Sequence, residues 1–320
     1  MKILVTGSNG LLGQKLIYAL LKLNAGQKPI GKCVWPDVKN ISIIATSKGD
    51  NRLIEKKGYT FESLDISDKQ QVETIINKYK PDVVINTAAM TNVDACEVQK
   101  EECWAANVTA VQHIVNAIKN EELRIKNCHL IHLSTDFIFD GKNGPYKEED
   151  TPNPLSYYAL SKWEGEKIIQ TSKIKWSILR TIIVYGIVDN MSRSNVVLWA
   201  KDALAKGQKI NVVDDQFRSP TLAEDLTQGC ILTALKGKTG IYNVSGKDIM
   251  SVLELVYRVA DFWKLDKTIV NPIKTDSLNQ AAKRPPRTGF ILDKAYKELG
   301  YTPFSFEEGL EVLDGQLKKK

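Results

Sequence analysis

The first thirteen residues constrain this chain more than any other stretch. An apolar run, Ile3-Leu4-Val5, reads as a buried parallel strand, and glycines follow at positions 7, 10 and 13. Leu12, Leu16, Ala19, Leu20 and Leu23 then repeat with a helical period. Strand, glycine turn and helix in that order suit a nucleotide phosphate. Gly7 allows the tight reversal, Gly10 lets backbone approach a pyrophosphate, and Gly13 lets the helix pack close on the sheet. The helix N-terminus adds free N–H groups and a partial positive charge. Asn9, Leu11 and Leu12 complete the turn and join the three glycines as candidate cofactor contacts. The spacing is G-x-x-G-x-x-G, and three glycines also serve as plain loop punctuation.

At 320 residues, with 43% apolar and 26% charged side chains, the chain has room for two domains or one large α/β unit. The net charge of +6 is small, and the basic residues are scattered apart from Lys318-Lys319-Lys320, which reads as a solvated tail. That distribution argues against nucleic acid as a partner and suits a small anionic substrate. No apolar run approaches ~18 residues, and the start lacks the apolar core of a signal peptide. A cytoplasmic protein without a membrane partner is expected. The cysteines at 33, 96, 103, 128 and 230 form no Cys-x-x-Cys pair, so they read as small buried side chains, and no metal site is expected.

Residues 24–40, rich in Gly, Pro and Lys, read as an exposed insertion before a second strand at 41–46. At the end of that strand an acid would accept from the 2′-OH of NAD, whereas basic side chains accommodate the 2′-phosphate of NADP. The segment is Thr46-Ser47-Lys48-Gly49-Asp50-Asn51-Arg52. Lys48 and Arg52 favour NADPH, and Asp50 keeps NADH open. A third strand ends at Leu64-Asp65-Ile66, with Asp65 facing the adenine edge and Ile66 beside it. Ser67-x-x-Gln70 reads as a capping box for a helix to residue 79. A fourth strand at 82–86 runs into Thr87-Ala88-Ala89, small residues that let backbone pass close to the cofactor. One long helix is expected over 94–119, then a fifth strand at 129–133 ending in Ser134-Thr135-Asp136. Such alternation predicts an α/β fold with a doubly wound parallel sheet (Rossmann), its ligands beyond the carboxyl ends of the strands.

After a loop at 140–154, Tyr158 and Lys162 stand four apart and share one helix face. A phenol with a pKa of about 10 is a poor acid–base at neutral pH, and a neighbouring ammonium lowers it toward the working range. The same spacing occurs on ordinary surface helices. Its company here, a glycine turn and a strand-end Ser-Thr earlier in the chain, gives it meaning. Beyond residue 186 the alternation loosens. The expected organisation is an NAD(P)-binding domain over 1–185 and a smaller, mainly substrate-binding domain over 186–320, with some segments returning to the first. Arg193, Arg218, Arg284 and Arg287 offer planar forks for a pyrophosphate, and each is equally an exposed structural arginine. Thr221-x-x-Glu224 and Ser251-x-x-Glu254 read as helix starts.

With these motifs the chain resembles the extended short-chain dehydrogenase/reductases over nearly its whole length, and more narrowly the dTDP-4-dehydrorhamnose reductase family. The glycine turn and Tyr158-x-x-x-Lys162 mark only the superfamily. Asn86-Thr87-Ala88-Ala89-x-Thr91-x-Val93-Asp94-x-x-Glu97, Ser134-Thr135-Asp136-Phe137-Ile138-Phe139-Asp140-Gly141 and Asp214-Asp215-Gln216-x-x-Ser219-Pro220-Thr221 are more specific. Arg180-Thr181 and Arg284-Pro285 match as well.

The resemblance implies NADPH-dependent reduction of the C4 carbonyl of a dTDP-linked keto sugar, dTDP-4-dehydro-L-rhamnose. Tyr158 would donate the proton, Thr135 would hydrogen-bond the same oxygen, and Lys162 would hold the ribose and tune Tyr158. Thr91, Val93, Phe137, Asn195, Arg218 and Arg284 would surround the sugar nucleotide, and a homodimer is compatible. Relatives that dehydrate sugars carry Asp-Glu after the threonine; here Phe137 follows Asp136, which disfavours dehydration. Three positions depart from the family pattern. Phe137 replaces an aromatic hydroxyl, Ile183 replaces a tryptophan, and Ala159 replaces glycine; the first two leave the sugar open. The same motifs also resemble the regulatory subunit of methionine adenosyltransferase, an NADP-binding partner protein rather than an enzyme, and reductases or epimerases of other nucleotide sugars.

Overall fold

The computed structural model describes residues 1–120 and 127–319. Strands β1 (Lys2–Thr6), β2 (Ser42–Ser47), β3 (Thr60–Ser63), β4 (Val83–Asn86), β5 (His129–Thr135) and β6 (Lys175–Thr181) are followed by six short ones. These are β7 (Val184–Tyr185), β8 (Ile210–Val213), β9 (Phe217–Arg218), β10 (Thr221–Leu222), β11 (Gly240–Asn243) and β12 (Met250–Ser251), and β13 (Val270–Ile273) comes last. The helices are α1 (Leu11–Asn24), α2 (Lys69–Tyr79), α3 (Val93–Val98), α4 (Lys100–Trp104), α5 (Ala110–Lys119) and α6 (Tyr157–Thr171), then α7 (Val196–Ala205), α8 (Ala223–Lys236), α9 (Val252–Trp263) and α10 (Phe306–Leu317).

The central sheet has the order β11-β6-β5-β4-β1-β2-β3, and every pairing in it is parallel. The order reverses direction at β1, so β1 and β4 lie side by side at the switch point where such sheets bind ligands. Alternation along the strands explains why both faces are covered. Ile3, Val5, Ile43, Ala45, Val83, Ile85, Ile131 and Leu179 face one core with Leu16, Ile17 and Leu20 of α1 and Leu226 and Cys230 of α8. Leu4, Ile44, Val84, Leu130 and Ile178 face the other, against Val72 and Ile76 of α2 and Val111, Ile114 and Val115 of α5. Each such aliphatic side chain stabilises by roughly 1.5–3 kcal/mol on burial. A third core gathers α7, α9, α10 and β8 around Val197, Val256, Val259 and Leu310. The later chain also returns to the first core, through β11 and through Leu292, Ala295, Leu299 and Tyr301.

Several local expectations shift. Residues 24–40 are not merely an exposed insertion, because Trp35 is buried in the first core. Helix α2 is capped one residue later than expected: the Asp68 carboxylate accepts from Gln71 N at 3.0 Å and from Gln71 Nε2 at 2.9 Å. The stretch 94–119 is broken at Gln99, which leaves the helical region, and it winds wider over Ala105–Thr109. There the Asn107 amide binds Met90 and the Ser161 hydroxyl. Thr221 lies in β10 rather than capping α8, its hydroxyl donating to Ile182 O, whereas Ser251 does cap α9. Cys96, Cys103, Cys128 and Cys230 are buried, but Cys33 only half so. In the basic tail Lys318 pairs with Asp314 at 2.6 Å, and Lys320 lies outside the described residues. Among those residues no helix is long and apolar enough to cross a membrane.

Candidate active site

The glycine turn adopts the geometry that its residues call for. Gly7 has φ +68°, and a Cβ there would stand 2.8 Å from Ala88 N, so side-chain-free backbone is required between β1 and β4. A Cβ on Gly13 would sit 2.2 Å from Gly7 O, which forces glycine where α1 meets its own turn. Gly10 is the N-cap of α1 and carries no side-chain cap, and no acidic residue occupies the first turn. The first N–H groups of the helix are therefore available to an anion.

The carboxyl ends of β1, β4 and β5 are tied by a buried polar row. Thr6 Oγ1 donates to Asn86 Oδ1 at 2.6 Å, Asn86 Nδ2 lies 3.0 Å from His132 Nδ1, and His132 Nε2 lies 3.3 Å from Lys162 Nζ. The Lys162 ammonium also donates to Leu133 O at 2.7 Å. Burial pulls the Lys162 pKa down to about 8, against the opposing pull of Glu166. His132 is pushed well below its ordinary value by burial and then by the Lys162 charge, so its ring is neutral at pH 7.

Helix α6 brings Tyr158 and Lys162 onto one buried face. Ser156 caps the helix, and Glu97 Oε1 accepts from Tyr157 N at 2.6 Å, anchoring its first turn to α3. The Tyr158 ring packs edge-on against Phe137 with centroids 6.2 Å apart. Burial raises its phenol above the ordinary value, a hydrogen bond with Thr135 opposes this, and the Asp136 charge adds to the rise. The sequence expectation that Lys162 lowers this pKa is not met: burial of the phenol outweighs the other influences on it. Thr135 Oγ1 donates to Asp136 Oδ1 at 3.2 Å and accepts from Phe137 N at 3.2 Å. Asp136 is held by the Thr288 hydroxyl, and burial raises its pKa despite the Arg218 charge.

These groups open on two adjoining cavities that share Gly10, Thr87 and Ala89. One, of about 470 Å³, is lined by Leu11, Leu12, Gly13, Thr91, Val93, Thr135, Phe137, Tyr158, Lys162 and Ile183, among others. The other, of about 400 Å³, runs past Gly7, Asn9, Lys48, Arg52, Asp65, Ile66, Ala88 and Ser192. A groove passing from a bare helix N-terminus to a Tyr/Lys pair fits a dinucleotide with a small substrate at one end.

Comparison with known proteins agrees with this geometry. The RmlD substrate binding domain family model matches residues 1–317. The chain belongs to the RmlD family. It is 31% identical to dTDP-4-dehydrorhamnose reductase of Aggregatibacter actinomycetemcomitans, over 98% of each chain. It is also 29% identical to methionine adenosyltransferase 2 subunit beta of Bos taurus, over 89% of this chain and 78% of that one. The crystal structure of a dTDP-4-dehydrorhamnose reductase from Bacillus anthracis str. Ames in complex with NADP superposes with a TM-score of 0.78 at 25% identity, covering 98% of this chain and 99% of the other. The RmlD-family chain is an extended short-chain dehydrogenase/reductase, and its class is that of the NAD(P)-dependent oxidoreductases.

Three residues expected at the substrate are committed elsewhere in this RmlD-family chain, and neither cavity includes them. Asn195 caps α7, accepting from Leu198 N at 3.2 Å, and donates to Gly186 O at 2.8 Å. Arg218 is 2% exposed and donates to Phe217 O, Pro285 O and Gln216 Oε1, with its guanidinium 5.4 Å from the Phe137 ring. Arg284 forms a two-pronged pair with Asp94, at 3.1 and 2.6 Å. Arg287 lies over the Phe217 ring, and Arg193 reaches Thr91 Oγ1 at 3.5 Å. Arg218 ties the 217 and 285 loops together, and Arg284 ties its loop to α3. Lys48 is likewise paired, with Asp65 at 2.7 Å. Although burial pushes Asp65 up, hydrogen bonds from Lys48 and Ser67 bring it down to about 2. Ile183 lines the first cavity at φ +27°, a conformation costly for a β-branched residue. Sequence reasoning missed His132 and Ser192. His132 was hidden inside the apolar β5 pattern, and Ser192 sits in a loop without periodicity.

Proposed function

We propose that this RmlD-family protein reduces the C4 keto group of dTDP-4-dehydro-L-rhamnose to dTDP-L-rhamnose with NADPH. The observation that carries the reading is the convergence of Thr135, Tyr158 and Lys162 on one cavity wall, continuous with the glycine turn. Residues 1–185 would serve the cofactor, and the part built on the third core would serve the sugar nucleotide. The bare N-terminus of α1 would hold the pyrophosphate, Lys162 the nicotinamide ribose, and Arg52 the 2′-phosphate. A reduced nicotinamide, when bound there, supplies the hydride.

The chain does the rest. Burial keeps the Tyr158 phenol protonated through neutral pH, which is the form that a reduction needs. Tyr158 gives that proton to the sugar oxygen as charge develops on it. Thr135 turns its O–H from Asp136 to the same oxygen, adding a second donor beside the apolar Val93, Phe137 and Ile183 side chains. Phe137 offers no acid or hydroxyl on this wall, so proton transfer rests on Tyr158.

Two expected results follow. The dissociation constant for NADPH is lower than that for NADH, as two fluorescence titrations would read; Arg52→Ala weakens NADPH, and equal affinities would contradict the 2′-phosphate reading. The profile of kcat/KM against pH falls on its alkaline side, with a midpoint near the Lys162 value of about 8. The sign follows from burial. The folded protein disfavours the Lys162 ammonium, so the charged, ribose-holding form is present below that value and lost above it. The limb should vanish in the residual activity of Lys162→Met.

The substrate class is tested by thermal shift against dTDP-, UDP- and GDP-sugars with NADPH present. A ligand at 100 times its Kd stabilises by about 2.7 kcal/mol. A shift confined to dTDP-sugars supports the reading, and a shift with another base alone moves the substrate. A second reading, an NADP-binding partner subunit, rests on the similarity to the methionine adenosyltransferase subunit. Co-purification with a synthetase-sized protein, together with no turnover of any keto sugar, would favour it.

A further inference from the structure

The turn that follows β2 is held from outside itself. The Arg52 N–H donates to Asn9 Oδ1 at 2.9 Å, and Arg52 O accepts from Asn190 Nδ2 at 2.9 Å. Asn9 Nδ2 also donates to Asp50 O at 2.8 Å. Two residues on, Ile54 N donates to Asp189 Oδ2 at 3.1 Å. The same carboxylate oxygen accepts from the Tyr18 hydroxyl, which receives Glu55 N at 3.4 Å. Tyr18 stands one helical turn after Gln14 on α1, and Gln14 Nε2 donates to both Asn9 O and Asp189 O, at 3.1 and 2.9 Å. Residues 189 and 190, just after β7, thus lock the 50–55 turn to the glycine turn. Within this locked frame the Arg52 guanidinium has no hydrogen bond or ion pair among the described residues, although it lines the second cavity, whereas Lys48 is engaged by Asp65.

We propose that Asp189 and Asn190 are positioning residues for cofactor choice: they fix the Arg52 backbone so that its free guanidinium meets the 2′-phosphate of NADPH. The inference rests on the NADPH reading above. A guanidinium on a fixed backbone loses less freedom on pairing with phosphate than one on a mobile turn. NADH has no 2′-phosphate and gains nothing from that order. Asp189 touches neither cofactor nor substrate in this arrangement; it acts through Arg52.

The test is a double-mutant cycle read as Kd for NADPH and for NADH. Asp189→Ala removes the carboxylate and leaves the backbone bonds to Gln14 in place. Asn190→Gly removes the amide and eases the residue's left-handed φ of 43°. Each should weaken NADPH by ~10-fold and NADH by less than about 2-fold, while Arg52→Ala alone does the same. In the Arg52→Ala background, adding Asp189→Ala should change NADPH affinity by less than about 2-fold, the signature of a residue acting through Arg52. Equal weakening of NADPH and NADH, full additivity with Arg52→Ala, or no effect of either variant would overturn the proposal. If Arg52→Ala itself spares NADPH, the 2′-phosphate reading fails and takes this inference with it. Should Asp189→Ala not fold, Asn190→Gly carries the same comparison.

Discussion

Replacing Tyr158 with phenylalanine is expected to lower kcat by ~10²-fold or more, the scale of general acid catalysis, with Kd for NADPH unchanged. The substitution removes one hydroxyl and leaves the rest of the local structure in place. The ring still packs against Phe137, Ser156 still caps α6, and Glu97 still holds Tyr157 N. Tyr157 is the internal control. Its ring lies against Trp104, 6.2 Å between centroids, and it does not line either cavity. Tyr157→Phe should therefore turn over at close to the original rate. Steady-state kinetics beside a cofactor titration separates chemistry from binding. An active Tyr158→Phe beside a dead Tyr157→Phe would place the wrong face of α6 at the substrate.

Removing either partner of the Arg180–Glu166 pair should destabilise the fold by about 3–5 kcal/mol. Arg180 is 1% exposed and Glu166 0%, so neither charge has water to fall back on. The guanidinium engages the carboxylate twice, at 3.1 and 2.8 Å, donates to Glu148 O at 2.9 Å, and lies over the Phe139 ring. Glu166→Ala leaves a buried, unpaired guanidinium. Arg180→Ala leaves an unpaired carboxylate and an orphaned Glu148 carbonyl. Urea unfolding should show a large fall in midpoint with an unchanged slope for both single variants. The double variant Arg180→Met with Glu166→Leu should recover much of the loss, since apolar packing replaces a buried ion pair at little cost. Because Glu166 lies one turn beyond Lys162 on α6, the pair also fixes how the helix bearing Tyr158 sits on β6. A loss below about 1 kcal/mol for Glu166→Ala would mean that the pair is hydrated.

What the sequence revealed about the site follows from how local each signal is. The glycine turn was legible because strand, turn and helix are contiguous, and steric demands at Gly7 and Gly13 arise within one supersecondary unit. Tyr158 and Lys162 were legible because helical spacing alone puts them on one face. Thr135 and Ala88 were legible because strand ends are marked by the change from apolar to small polar residues. The arginines were not. Whether Arg218 meets a phosphate or the carbonyls of Pro285 and Phe217 depends on loops almost 70 residues apart, which no local pattern encodes. Asn195 shows the same limit: an asparagine before an apolar helix start is equally a ligand contact and an N-cap, and here it caps. The direction of the Tyr158 shift was misjudged because spacing shows the ammonium nearby but not the burial that outweighs it. The tie from Asp189 to the turn after β2 spans 135 residues and had no signal at all.

The reaction itself is read by supplying dTDP-4-dehydro-L-rhamnose, made in place by a dehydratase and an epimerase, and following NADPH absorbance. The expected result is consumption that depends on both the keto sugar and this protein, stops with Tyr158→Phe, and yields dTDP-L-rhamnose. No consumption by folded protein that binds NADPH would rule out this reaction and favour the partner-subunit reading, and consumption only with a UDP- or GDP-linked keto sugar would contradict the substrate while leaving Thr135, Tyr158 and Lys162 in their roles.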